Sequence, residues 1–87
     1  MFELVYHKQF LKQTQKLPEA TQRQLRKQLV LLSKNPFDPL LHSKPLGGEL
    51  ESYHSLRIGR DYRVIFEFLN TVSIKLIRIG HRKDIYR

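Results

Sequence analysis

"LRIGRDYRVIF", Leu56 to Phe66, decides how the second half of this chain folds. Apolar and polar residues alternate on both sides of Gly59-Arg60, the period of a β-strand whose successive side chains point to opposite faces. The stretch therefore predicts two antiparallel strands with a tight turn at Gly59-Arg60. Working outward, the strands are expected near Ser52–Ile58 and Asp61–Leu69, with a third near Thr71–Ile79 after a turn at Asn70. Val64, Phe66 and Phe68 share one face of the middle strand, while Arg63, Ile65 and Glu67 share the other. In the last strand Val72, Ile74 and Leu76 align, and Gly80 permits a bend or bulge before His81-Arg82-Lys83.

Upstream the period lengthens. Phe2–Tyr6 alternates as a first strand, and then Phe10, Leu11, Thr14 and Leu17 recur at helical spacing, predicting a helix that runs to Lys16 or Leu17. Pro18 ends it and suits the first position of a second helix, expected to reach about Lys34. Leu25, Leu29 and Leu32 form its buried stripe; Arg23, Arg26, Lys27 and Gln28 coat the rest. Asn35-Pro36-Phe37-Asp38-Pro39 stops the helix, and Lys44-Pro45-Leu46-Gly47-Gly48 reads as a loop. The order β-α-α-β-β-β predicts one α+β domain over residues 1–87, an antiparallel-rich four-stranded sheet with a helical hairpin covering one face. Alternation aims Arg63 at the other, open face.

Sixteen Lys and Arg against eight Asp and Glu give a net charge of +8 over 87 residues. Such density attracts polyanions, so nucleic acid is the first partner to consider and an acidic protein the second; a merely basic surface is the plain reading. The absence of cysteine excludes disulfides, thiolate metal sites and zinc fingers. The longest apolar run, Leu29 to Leu32, is far short of the roughly 20 residues a spanning helix needs, and Met1-Phe2-Glu3 does not open a signal peptide. A cytoplasmic protein without membrane association is expected. Asp61, Glu67 and Asp84 lack the spacing of metal ligands, so neither metal nor cofactor is expected. No nucleophile elbow is present, and Gly47-Gly48 is too short to mark a phosphate cradle.

The close of the chain, "IRIGHRKDIYR" (Ile77 to Arg87), concentrates cations, a histidine and a tyrosine behind an apolar strand. It reads either as a solvated tail or as the edge of a phosphate site. The same choice holds elsewhere: Arg63 as an ion pair with Asp61 or Glu67, His81 and His54 as surface histidines, Tyr86 as a ring packed on the sheet edge.

Taken together, "LRIGRDYRVIF", the strand after it and "LIRIGHRKDIYR" (Leu76 to Arg87) resemble the RelE/ParE superfamily of bacterial toxins, in particular its RelE-type mRNA-cleaving branch. The likeness extends to the order of elements, the Leu17-Pro18 junction, Asn35-Pro36 and "KPLGGEL" (Lys44 to Leu50). It implies the toxin of a type II toxin-antitoxin system, an endoribonuclease that cuts messenger RNA in the ribosomal A site. It also implies a cognate antitoxin that holds the toxin inactive, with operator DNA reached only through the toxin-antitoxin complex. Carried over by position, Arg63 in "DYRV" and Arg82 in "GHR" become transition-state stabilisers, and Tyr86 in "DIYR" orients the attacking hydroxyl. His81, which stands where relatives carry Lys, His or another polar residue, would act as a catalytic residue that with Tyr86 handles protons or positions the hydroxyl. Arg57, Arg60, Arg78 and Lys83 would hold RNA, joined by His54, which stands with Tyr53 and Ser55 where some relatives place lysines.

The chemistry so implied needs no metal: the 2′-hydroxyl of RNA attacks the adjacent phosphorus, leaving a cyclic phosphate and a 5′-hydroxyl, and DNA is spared. Arginine suits the extra charge at phosphorus because its planar fork stays ionised and meets two oxygens at once. Histidine exchanges protons near neutral pH. Two rivals stand beside this reading, a ParE-type toxin that acts on DNA gyrase without cutting RNA, and a basic RNA-binding module.

Overall fold

In the computed structural model, which describes residues 1–48 and 52–86, strand β1 (Glu3–Tyr6) leads into helices α1 (Lys8–Thr14) and α2 (Glu19–Lys34). A 3-10 turn (Pro39–Leu41) follows, then strands β2 (Lys44–Pro45), β3 (Tyr53–Ile58), β4 (Tyr62–Phe68) and β5 (Ser73–His81). Glu49 and Leu50 of the "KPLGGEL" stretch, Glu51, and the terminal Arg87 lie outside the described residues. The α+β class and the helices-then-sheet order match the sequence reading. The sheet order is β1-β5-β4-β3-β2, with β1 parallel to β5 and every other pair antiparallel.

The sheet has five strands rather than four. Lys44 and Pro45 pair with Ser55 and His54, where a loop was expected. Two residues are too few to show alternation, and proline is tolerated here because β2 is an edge strand that needs no donor on its outer side. The turn at Gly59 is as predicted, with φ at 63°.

Helix α1 stops at Thr14, earlier than its apolar spacing predicts. The chain tightens there into i→i−3 bonds, Lys16 N–H to Gln13 O at 3.1 Å and Leu17 N–H to Thr14 O at 3.2 Å. Gln22 Nε2 then donates to the carbonyls of both Thr14 and Leu17, so the helix end is satisfied from α2. Pro18 caps α2 from just outside, in extended backbone, rather than occupying its first turn. Helix α1 packs on β5 and α2 on β3. Leu25 and Leu32 are buried as expected, whereas Leu29 is only half-buried.

The core lies between the helices and one face of the sheet: Phe10, Leu25, Leu32 and Leu41 meet Leu56, Ile58, Val64, Phe66, Ile74, Leu76 and Ile79. Full burial of such side chains contributes about 1.5–3 kcal/mol each. Val72 was expected in this row and is instead 60% exposed. Asn70 Oδ1 accepts the Val72 N–H at 2.8 Å, which holds 70–72 as a turn and delays the strand to Ser73.

The irregularity in β5 is at Ile77, not Gly80. Phe66 pairs with Leu76 and Ile65 with Arg78, so Ile77 is the extra residue of a bulge. The inserted residue changes the phase: Ile74 and Leu76 face the core before it, and Ile79 does so after it. Arg78 is thereby carried to the open face opposite Ile65. No helix among the described residues is long and apolar enough to cross a membrane.

Candidate functional site

Strand register writes the open face as three rows. Arg57, Arg63 and Gly80 are neighbours across β3, β4 and β5; so are Ser55, Ile65 and Arg78; so are Tyr53, Glu67 and Lys75. Arg57 and Arg63 stand directly opposite, a like-charge pairing that disfavours the folded sheet unless an anion compensates it. Neither Asp61 nor Glu67 pairs with Arg63. Its Nη1 instead donates to the carbonyls of Tyr62 at 2.9 Å and Arg60 at 3.2 Å, which fixes the guanidinium beside the β3–β4 turn.

The last residues fold back over this face. Asp84 and Ile85 N–H groups both donate to His81 O, at 2.9 and 3.0 Å, making a compact turn after β5. Ile85 is 4% exposed and rests on Gly80, where a Cβ would lie 3.2 Å from its Cδ1. That contact gives Gly80 its purpose: the glycine leaves room for the turn to close on the sheet. Beside Ile85, Tyr86 enters a cleft of about 220 Å³ lined by Tyr53, Ile65, Ile77 and Arg78, with Gln9 and Leu46 at its margin. No carboxylate among the described residues lines the cleft. The bulge places both Ile77 and Arg78 there.

The other sequence-predicted residues lie outside the cleft. Arg82 N–H donates to Asp61 O at 2.7 Å and its Nε is 3.8 Å from Asp61 Oδ1, a half-exposed ion pair at the end of the sheet. Arg63 and Arg82 thus attach to the same 60–62 segment. His81 is in register with Tyr62 on the helix side, its ring edge-on at 5.8 Å, and its Nδ1 accepts the Lys83 N–H at 3.2 Å. The ring caps the C-terminal turn rather than facing the cleft. Lys83 and Arg60 are exposed at the rim.

His54 is on the helix side as well, against Phe66 and Phe68 with ring centroids 5.5 and 5.0 Å away. Desolvation there lowers its pKa from the ordinary histidine value. The expectation that it holds RNA alongside Arg57 and Arg63 fails on alternation, because His54 and Arg57 differ by an odd number of positions along one strand. Tyr53, Gln9 and Leu46 were not singled out from the sequence; Tyr53 was legible by counting back from Arg57 in steps of two. Among the described residues, no group of three or more His, Asp or Glu is placed to hold a metal ion.

Comparison with known proteins agrees with this architecture. A structure described as the YoeB/ParE toxin from Agrobacterium tumefaciens superposes with a TM-score of 0.80 at 18% identity, covering 93% of this chain and 99% of that one. YafQ from E. coli strain BL21(DE3) gives 0.76 at 20% identity, with both chains covered in full. The archaeal RelE-RelB complex from Pyrococcus horikoshii OT3 gives 0.78 at 26% identity, covering 95% and 97%. No curated protein sequence matches significantly. Residues 4–86 match the family model described as the ParE toxin of the type II toxin-antitoxin system parDE. A strand, a helix pair and an antiparallel sheet with a cationic open face thus coincide with a match over nearly the whole chain, and the chain belongs to the ParE toxin family of type II toxin-antitoxin systems, within the RelE/ParE superfamily.

Proposed function

We propose that this toxin is an endoribonuclease that cuts translated messenger RNA through the RNA's own 2′-hydroxyl, with the open face of the sheet as its working surface. One observation carries the reading: the C-terminal turn brings Tyr86 into a cleft with Arg78 and Tyr53, on the face that also holds Arg57 and Arg63. Attack by the 2′-hydroxyl builds negative charge on the phosphate oxygens. Arg63 answers it with a guanidinium already fixed through Nη1, leaving Nε and Nη2 to meet those oxygens. Arg78 approaches from the neighbouring strand. Tyr86 and Tyr53 offer hydroxyls that orient the attacking oxygen. Charge stabilisation by the arginines supplies more of the rate than proton transfer does. Arg82 joins as a further cation, since an exposed ion pair such as that with Asp61 is worth only about 0–1 kcal/mol. His81 is a positioning residue, holding the turn that carries Arg82 and Tyr86.

The cytoplasm, where ribosomes work, is the site of action. A cognate antitoxin is the natural partner, as RelB is for RelE in the Pyrococcus horikoshii complex. Its place is the face of α2 flanked by α1 and β1, where Leu11 in the α1–α2 groove and Val30 in the β1–α2 groove stand about half exposed, with Arg26 lining both. An acidic amphipathic helix complements that mixture of apolar and cationic groups.

Cleavage of a message on programmed ribosomes, mapped by primer extension, tests the reading. Wild-type toxin should cut, and Arg63→Ala should be slower by about a hundredfold or more, roughly 2.7 kcal/mol of transition-state stabilisation. Equal cutting by the variant would overturn the assignment. The family description itself favours a second reading, a toxin that acts on DNA gyrase. Inhibited supercoiling with the message left intact would establish that one instead.

A further inference from the structure

A larger cavity, about 420 Å³, opens on the helix side of the β3 edge, away from the Tyr86 cleft. Gln24, Lys27 and Gln28 of α2 form one wall, Leu40 and His42 another, and Arg57 and Gly59 the third. Strand β2 pairs β3 only as far as His54 and Ser55, so the edge at Arg57 is left uncovered and the cavity stays accessible. Gln28 Nε2 ties the walls together by donating to Leu40 O at 3.0 Å and Arg57 O at 3.2 Å. Gly59 makes room for the Gln24 amide: a Cβ there would lie 2.7 Å from Gln24 Oε1, and its φ of 63° already excludes most side chains. His42 holds the left-handed conformation, φ 49° and ψ 39°, at the end of the 3-10 turn.

The lining is one-sided in charge. Lys27 and His42 border it with no carboxylate among the lining residues, and neither forms an ion pair among the described residues; Arg57, whose side chain belongs to the open face, meets the wall through its carbonyl bonded to Gln28. Lys27 offers a point charge for a phosphate, and the imidazole of His42 a flat face for a base. Leu40, 66% exposed at the rim, adds apolar contact, and the amides of Gln24 and Gln28 can meet the polar edge of a base. A volume of this size falls within the range of small-ligand sites. An acidic peptide would use the cations but not the flat imidazole of His42 or the amides of Gln24 and Gln28, so a nucleotide fits the lining better.

We propose that this cavity binds one nucleotide of a single-stranded RNA, as an anchoring site separate from the Tyr86 cleft. The inference does not depend on RNA being cut. Whichever enzyme activity the cleft has, a strand seated at Arg57 continues around the sheet edge onto the open face.

Isotopically labelled full-length toxin, titrated with AMP, inorganic phosphate and a 2′-O-methyl RNA tetranucleotide, tests this by NMR. AMP and the tetranucleotide should give saturable shifts at the amides of Leu40, His42 and Gly59 and at the side-chain amides of Gln24 and Gln28. Phosphate alone should bind there more weakly. Lys27→Ala and His42→Asn, the latter chosen because asparagine tolerates the left-handed backbone, should each weaken tetranucleotide binding about fivefold or more with spectra that otherwise overlay the wild type. The shifts that AMP alone produces at these amides should be the same in Glu19→Gln, a surface variant outside both sites. Shifts spread without saturation over all basic residues, phosphate binding as tightly as AMP, or wild-type affinity in both cavity variants would each overturn the site.

Discussion

Gly80 shows how one residue without a side chain can govern a site it does not line. Its Cα lies under Ile85, and the 3.2 Å that a Cβ would leave to Ile85 Cδ1 is closer than ordinary contact. A bulkier side chain there would press on Ile85 and, through it, on the turn that carries Tyr86. Gly80→Val is therefore expected to slow message cleavage at least about tenfold, since small misplacements of a reacting group are costly, while the core on the opposite face still folds. A wild-type rate, measured on programmed ribosomes, would mean that Tyr86 is not positioned through Ile85. His54 carries a different expectation. Desolvation beside Phe66 and Phe68 depresses its pKa in the folded state, so between that value and the ordinary ~6.5 the unfolded chain binds more protons. Stability should fall as pH drops below about 6.5. His54→Phe should flatten that part of the curve in thermal melts across pH; an unchanged slope would assign the acid sensitivity to other groups.

Among the elements, β3 and β4 hold the clearest conflict between stability and function. Arg57 faces Arg63 across the ladder, and a cross-strand pair of opposite charges is worth about 0.2–1 kcal/mol where like charges destabilise. Arg57→Glu should raise the midpoint of denaturant unfolding and lower RNA cleavage in the same protein, a divergence that a purely structural arginine would not give. In the helix pair, Leu11→Glu and Val30→Glu should weaken antitoxin binding without impairing cleavage, because both side chains are about half exposed on the groove face. Titration with the antitoxin encoded beside the toxin decides it. The sequence made the open face largely legible: period-two alternation placed Arg63 there, and the Gly59-Arg60 turn set the register of β3 against β4. It could not place Arg78, whose face depends on the bulge at Ile77, because a run of Ile-Lys-Leu-Ile-Arg-Ile fits either phase. Nor could it find β2, two residues long and half proline. The fold of 82–86 rests on one carbonyl shared by two amides and on a contact between Ile85 and Gly80, neither of which has a local sequence signal.

At the scale of the whole molecule, the sheet divides the labour. One face is closed by the helices and supplies the stability; the other presents arginines and tyrosines under a short C-terminal turn. A net charge of +8 draws polyanions to the body, and the association should weaken steeply as salt rises. On the proposed reading, the arrangement around Tyr86, Arg78 and Arg63 would convert attraction into reaction by stabilising charge at a phosphate, with the RNA supplying its own nucleophile. The most direct measurement uses a translated message carrying a single 2′-deoxy nucleotide immediately 5′ of the mapped cut. The account predicts that the all-RNA message is cut to a 2′,3′-cyclic phosphate and a 5′-hydroxyl, and that the substituted message survives at that position. Cutting of the deoxy-substituted message, a 5′-phosphate product, or no cutting of either message would contradict it.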